Sequence, residues 1–129
     1  MTHDPKDVLN TWMKCVNEAD LEPLLALYAD DAILLPTFSA VSIRDQPGRE
    51  AYFERLAQRE GLSVRLHDRT LRIHPASDTI SIVSGVYSWQ FELEEEKMTF
   101  EARFTYVIDT ARKNPILHHH SSQLPRNLS

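Results

Sequence analysis

The sequence predicts an α+β fold, with three N-terminal helices packed on a strongly curved, mainly antiparallel sheet shaped like a cone. Two observations predict it. Apolar residues recur at helical spacing up to Gly61 and alternate after it. The first half holds one short strand among helices and the second half four long strands in a meander, an order that segregates helices to one face of a sheet. A length of 129 residues suits a single domain, expected to span residues 1–129.

The first helix opens at Asp4-Pro5-Lys6-Asp7. Asp4 suits the cap, Pro5 the first helical position, and Asp7 the positive end of the helix dipole. Val8, Leu9, Trp12, Cys15, Val16 and Ala19 then form one apolar stripe. Asp20 is the expected cap of a second helix, with Pro23 in its first turn and Leu24, Leu25, Leu27 and Tyr28 along it. Asp30-Asp31 is expected to end that helix, and Ala32-Ile33-Leu34-Leu35 to form a short strand stopped by Pro36. Residues 37–45 lack a period and are expected to form a loop. Pro47-Gly48 opens a third helix whose buried face is expected to carry Ala51, Tyr52, Phe53, Leu56 and Ala57, with Gly61 as a C-terminal cap.

Residues 63–73 alternate, but their apolar set changes phase between Leu66 and Leu71, which predicts a bulge or bend near Asp68. Residues 79–93 form the next strand, with Val83, Gly85, Tyr87, Trp89 and Phe91 on one face. A charged turn at Glu94-Glu95-Glu96-Lys97 leads to a strand over 98–108, and after a turn at 109–114 the last strand covers 115–122. The second and third long strands are apolar on both faces. One face is expected to pack on the helices and the other on a second copy of the chain.

Composition narrows the function classes. Hydrophobic residues make up 42% and charged residues 26%, as in an ordinary globular protein. The net charge of -5 and the lack of a basic stripe argue against nucleic-acid binding. Cys15 is the sole cysteine, so no intramolecular disulfide forms, and a reducing cytoplasmic location is expected. Its place on the apolar stripe points to a buried, inert thiol. Met1-Thr2-His3-Asp4-Pro5 lacks the pattern of a signal peptide, and no apolar run is long enough to span a membrane.

The chain resembles the nuclear transport factor 2-like (NTF2-like) superfamily, also called SnoaL-like. More narrowly, it is similar to bacterial relatives of the calcium/calmodulin-dependent kinase II association domain. The phrases that carry this are Leu24-Leu25-Ala26-Leu27-Tyr28-Ala29-Asp30-Asp31-Ala32, Leu34-Leu35-Pro36-Thr37, Ala51-Tyr52-Phe53, Ala102-Arg103-Phe104-Thr105 and His118-His119-His120-Ser121-Ser122-Gln123-Leu124-Pro125. The resemblance implies a cone-shaped α+β barrel with a deep pocket, assembled as a dimer through the outer sheet face. It also implies an arginine at position 103 that meets carboxylate ligands in the pocket. Kinase activity and calmodulin binding do not carry over, because no kinase domain or basic calmodulin-binding helix is present. Where the family has a glycine and a tryptophan before the final strand, this chain has Asn114 and Pro115-Ile116.

The candidate ligand-binding residues are Arg103, His118, His120, Tyr87, Trp89, Tyr28, Tyr52 and Thr37. Arg103 sits mid-strand in an apolar stretch, and its charge cannot be removed. It either meets an anionic ligand, pairs with Glu101, or contacts another subunit. His118 and His120 share a strand face, with His119 opposite. They form a pocket wall able to act as acid or base, or they simply pack; a metal site lacks an obvious third ligand. Tyr87 and Trp89 form an aromatic wall closed from above by Tyr28 and Tyr52, or all four are core. Thr37 offers a hydroxyl. Asp30 and Asp31 stand either as a general base or as turn residues.

No nucleophile elbow, phosphate loop or dinucleotide fingerprint is present, and no cofactor or metal is expected. The leading expectation is a dimeric domain that binds a compact carboxylate-bearing molecule. An isomerase, dehydratase or hydrolase on the same scaffold, and a pure oligomerisation module, are the alternatives.

Overall fold

A computed structural model of the protein describes residues 4–125. Met1-Thr2-His3, the start of the stretch expected to lack a signal-peptide pattern, lies outside those residues. The elements follow the expected order: α1 (Pro5–Asn17), α2 (Leu21–Ala26), β1 (Tyr28–Leu35), α3 (Gln46–Ala57), β2 (Ser63–Leu66), β3 (Arg72–Pro75), β4 (Ile80–Leu93), β5 (Glu96–Asp109) and β6 (Ile116–Gln123).

Local chemistry sets the helix starts. The Asp4 carboxylate accepts from the Lys6 N–H at 2.8 Å, and the Asp45 carboxylate accepts from the Gly48 N–H at 2.8 Å. Asp20, also expected to cap, makes no such side-chain bond. Gly48 has no room for a side chain, since a Cβ there would lie 2.8 Å from both Asp45 Oδ1 and Ile43 Cγ2. Gly61 adopts φ +71°, a left-handed turn that leads from α3 into β2.

The six strands form one unclosed sheet in the order β1-β6-β5-β4-β2, with β3 also paired to β4. β1 and β6 run parallel, and the other pairs are antiparallel. The bend predicted near Asp68 is a single 3-10 turn over Asp68–Thr70 that separates β2 from β3. The hairpin between β4 and β5 turns on Glu94 and Glu95, at φ 53° and 68°, the geometry of a type I′ turn.

Two expectations need correction. The strand expected at Ala32 begins at Tyr28, because α2 stops at Ala26. Leu27 and Tyr28 extend the apolar run of α2, but Tyr28 instead pairs with Ile116 of β6. Asp30 and Asp31 therefore lie inside β1, both exposed, where the pairing register with β6 shifts between Tyr28 and Ile33. On α3, Ala51 is exposed, and the buried stripe is Arg49, Tyr52, Phe53 and Leu56. That spacing is the helical i, i+3, i+4, i+7 pattern, with a charged residue at its first position.

Register decides what faces the helices. Val83, Tyr106, His119 and Leu34 lie in one row across β4, β5, β6 and β1, on the buried face. Val86, Arg103 and Ser122 occupy a row on the opposite face, as do Ser84, Thr105, His120 and Leu35. Trp12 of α1 reaches into the buried side, where it stacks on Tyr87 at 5.7 Å and meets Trp89, Tyr106 and His119 edge-on. Among the described residues, no helix is long and apolar enough to cross a membrane.

Candidate ligand-binding site

The concave side of the sheet is filled by aromatic rings. Tyr28, Tyr87, Trp89, Phe104, Tyr106 and Trp12 are all buried there around His119. Alternation along β6 places His119 inward and its neighbours outward. The imidazole stacks on Tyr106 with centroids 3.9 Å apart. Its Nδ1 lies 2.8 Å from the Tyr28 hydroxyl and its Nε2 lies 3.2 Å from the Tyr87 hydroxyl. The Tyr28 oxygen also accepts from Trp12 Nε1 at 2.9 Å. Burial, reinforced by His118 and His120, pushes His119 down to about 3, so the ring is neutral near pH 7.

The deep hollow implied by the resemblance is therefore reduced to a chamber of about 10 Å³, lined by Thr37, Tyr52, Tyr87, Trp89, His119 and Ser121 among others. That volume suits one water-sized group. Thr37 and Ser121 share a short hydroxyl–hydroxyl hydrogen bond at its edge. Two buried polar groups have no partner among the described residues, the Trp89 indole N–H and the Tyr106 hydroxyl.

A larger cleft of about 430 Å³ opens beside α3. Phe38, Tyr52, Leu56 and Phe91 form its apolar wall, and Arg55, Gln58 and Arg59 its polar rim. Arg55 is exposed on the last turn of α3, and Arg59, also exposed, lies in the turn that follows the helix. The Arg59 guanidinium lies 5.3 Å from the centre of the Phe91 ring. Neither arginine makes an ion pair among the described residues; His67 Nε2 and a Glu101 carboxylate oxygen lie 3.8 Å apart. Tyr52 lines both cleft and chamber, and its hydroxyl accepts from the Phe38 N–H at 3.3 Å.

The candidate residues divide by face. Tyr28, Tyr52, Tyr87, Trp89 and Thr37 are gathered on the inner side, with Tyr28 supplied by β1 instead of a helix. Arg103, His118 and His120 are not with them. Arg103 is exposed on the outer face opposite Ser122, His120 is exposed, and His118 is half-buried. Burial and the neighbouring His120 hold the His118 pKa below its usual value. The expectation that Arg103 looks into an enclosed pocket is thus corrected. Phe100, Ala102, Phe104, Tyr106 and Ile108 take the inner face at period two, which leaves position 103 outside. Glu101, its expected intrastrand partner, approaches His67 instead. Among the described residues, no group of three or more His, Cys, Asp or Glu side chains is placed to hold a metal ion.

Sequence reasoning missed three residues. Arg49 is fully buried and donates to the carbonyl oxygens of Ala32, Ala29 and Asp30 at 2.7, 3.1 and 3.1 Å, and to Gln46 Oε1 at 3.0 Å. It thereby holds the irregular part of β1. Arg55 and Arg59 look like a solvated helix face in sequence. The signal for them is their spacing after Tyr52, which keeps them beside the aromatic stripe.

Solved structures share this fold. A Xanthomonas campestris protein, provisionally assigned as a calcium/calmodulin dependent protein kinase II association domain, is 25% identical with a TM-score of 0.81, covering 92% of this chain and 84% of its own. A provisionally assigned scytalone dehydratase from Novosphingobium aromaticivorans superposes with a TM-score of 0.79 at 11% identity, over 93% of this chain and 81% of that one. An NTF2-like protein of unknown function from Pseudomonas putida gives 0.77 at 17% identity, over 96% and 86%. No curated protein is significantly similar in sequence. The family model for the SnoaL-like domain matches residues 6–126, nearly the entire sequence, and the chain therefore belongs to the SnoaL-like domain family.

Proposed function

We propose that this protein binds a small carboxylate-bearing molecule in the cleft beside α3, and that it does so as a homodimer. One observation carries the first part: the cleft is aromatic on one side, and both of its charged lining residues, Arg55 and Arg59, are cations. Its volume of about 430 Å³ falls in the range of small-molecule sites. A guanidinium offers a planar fork to a carboxylate, and two of them on one cleft reinforce each other in a protein of net charge -5. The anion site expected at Arg103 moves to these two residues.

An isomerase, dehydratase or hydrolase needs a group that exchanges a proton with the ligand near neutral pH. Burial pushes the Tyr52 hydroxyl of the cleft up to about 12, and His119 lies behind it, sealed by two tyrosine hydroxyls. Both facts favour binding over catalysis. The homodimer reading rests on the outer sheet face, where Ile82, Val86, Val107 and Leu35 remain partly exposed, and on likeness to a protein provisionally called an association domain.

Thermal unfolding with cinnamate and with cinnamamide tests the site. Cinnamate at a hundred times its dissociation constant adds about 2.7 kcal/mol to the wild type. The amide adds far less, and Arg55→Ala combined with Arg59→Ala removes the difference. Equal shifts from acid and amide reject the site. Sedimentation of Val107→Glu tests the dimer: the wild type sediments as a dimer and the variant as a monomer.

A further inference from the structure

The cleft and the inner chamber share Tyr52, and Phe38, which lines the cleft, donates its N–H to the Tyr52 hydroxyl. The Phe38 ring belongs to the irregular segment after β1, and it sits edge-on against Trp89, Phe91 and Phe100, with centroids 5.4 to 5.5 Å away. Three aromatic walls thus already hold one aromatic ring, supplied by the chain itself. Behind it, the Trp89 indole N–H is buried, with Trp89 only 2% exposed, and has no acceptor among the described residues. An unpaired buried donor is costly, and an oxygen acceptor placed there removes the cost. Hydroxyls of Thr37 and Ser121 stand at the same chamber.

We propose that Phe38 occupies the place of the ligand's own ring, and that the ligand is an aromatic carboxylate bearing an oxygen acceptor at its far end. The inference rests on the cleft reading and names its substrate class. The carboxylate pairs with Arg55 and Arg59. The ring displaces Phe38 between Trp89 and Phe91. The distal oxygen, a phenol or ketone, accepts from Trp89 Nε1 inside the chamber. Trp89 and Phe91 are two residues apart on β4, about 7 Å along the strand, and the Arg59 guanidinium lies over the Phe91 ring, 5.3 Å from its centre. A hydroxycinnamate carries a carboxylate and a phenol at opposite ends of one planar frame, whereas unsubstituted benzoate lacks the distal oxygen.

Phe38 then competes with the ligand. Its removal raises affinity, because the site no longer has to be vacated before binding. A side chain that merely lined the site would do the opposite when truncated.

Calorimetric titration with 4-hydroxycinnamate, cinnamate and methyl 4-hydroxycinnamate tests the inference. The wild type is expected to bind 4-hydroxycinnamate about tenfold more tightly than cinnamate. Trp89→Phe abolishes that preference, weakening 4-hydroxycinnamate about tenfold more than cinnamate. Phe38→Ala tightens both acids by about fivefold; should that variant fail to fold, Phe38→Leu shows a smaller change in the same direction. Equal affinities for the two acids, a preference that survives Trp89→Phe, or weaker binding by a folded Phe38 variant each overturn the inference. If the methyl ester binds as well as the acid, the arginine cleft is wrong, while the Trp89 and Phe38 effects still judge the chamber. Failure of all three probes to bind overturns both.

Discussion

The Tyr28 hydroxyl lies 2.8 Å from Nδ1 of His119, and this contact fixes which imidazole nitrogen carries the proton. A tyrosine hydroxyl has one proton and two lone pairs. Trp12 Nε1 donates to one lone pair, and the tautomer that leaves the Tyr28 hydroxyl proton paired is the one in which it is given to Nδ1. Nε2 then keeps its hydrogen and donates to the Tyr87 hydroxyl. A single neutral tautomer satisfies all four rings.

Burial of the neutral ring makes stability depend on pH. The folded pKa of His119, about 3, lies below the ordinary value of 6.5, so the unfolded chain binds a proton more readily. The contribution is complete above about pH 6.5 and is lost as pH falls toward 3, at up to about 1.4 kcal/mol per pH unit. Urea denaturation of the wild type and of His119→Phe between pH 7 and pH 4 measures this. The wild type is expected to lose more stability than the variant over that interval; parallel losses contradict the assignment.

Arg49 is expected to be the costliest polar side chain to remove. Its guanidinium serves three carbonyl oxygens of β1, and a methionine would leave them without donors. Arg49→Met is predicted to cost about 3 kcal/mol, and Arg49→Lys nearly as much, because an ammonium cannot reproduce the fork. Chemical denaturation of both variants gives the values. A loss below about 1 kcal/mol in each would remove the role assigned to this residue.

The β4–β5 hairpin invites stabilisation. Glu94 and Glu95 both hold positive φ, which favours asparagine and glycine, and they stand next to Glu96. Replacing Glu94 by Asn and Glu95 by Gly is predicted to add about 1 kcal/mol. A scanning calorimetry trace with an unchanged or lower melting temperature would argue against the turn geometry.

Element order was legible because periodicity and turn residues report directly on local backbone. The bend near Asp68 was legible for the same reason: a phase change in alternation has few physical causes. The start of β1 was not, because Leu27 and Tyr28 suit an apolar helix as well as a strand, and only pairing with β6 decides. The inward residue of His118-His119-His120 depends on which face of β6 the helices cover, a tertiary fact. Position 103 was a different case. The apolar residues at 100, 102, 104, 106 and 108 already assigned it to the outer face, and the resemblance outweighed them. Arg49 escaped because a charged residue in a buried stripe breaks the usual pattern, and its compensation lies in carbonyl groups that no sequence displays.

A crystal structure of the protein soaked with cinnamate locates the acid. The carboxylate is expected within hydrogen-bonding distance of Arg55 and Arg59, with the ring against Phe91. A carboxylate bound beside Arg103 on the outer face, or a cleft left empty while the acid binds elsewhere, would contradict that placement.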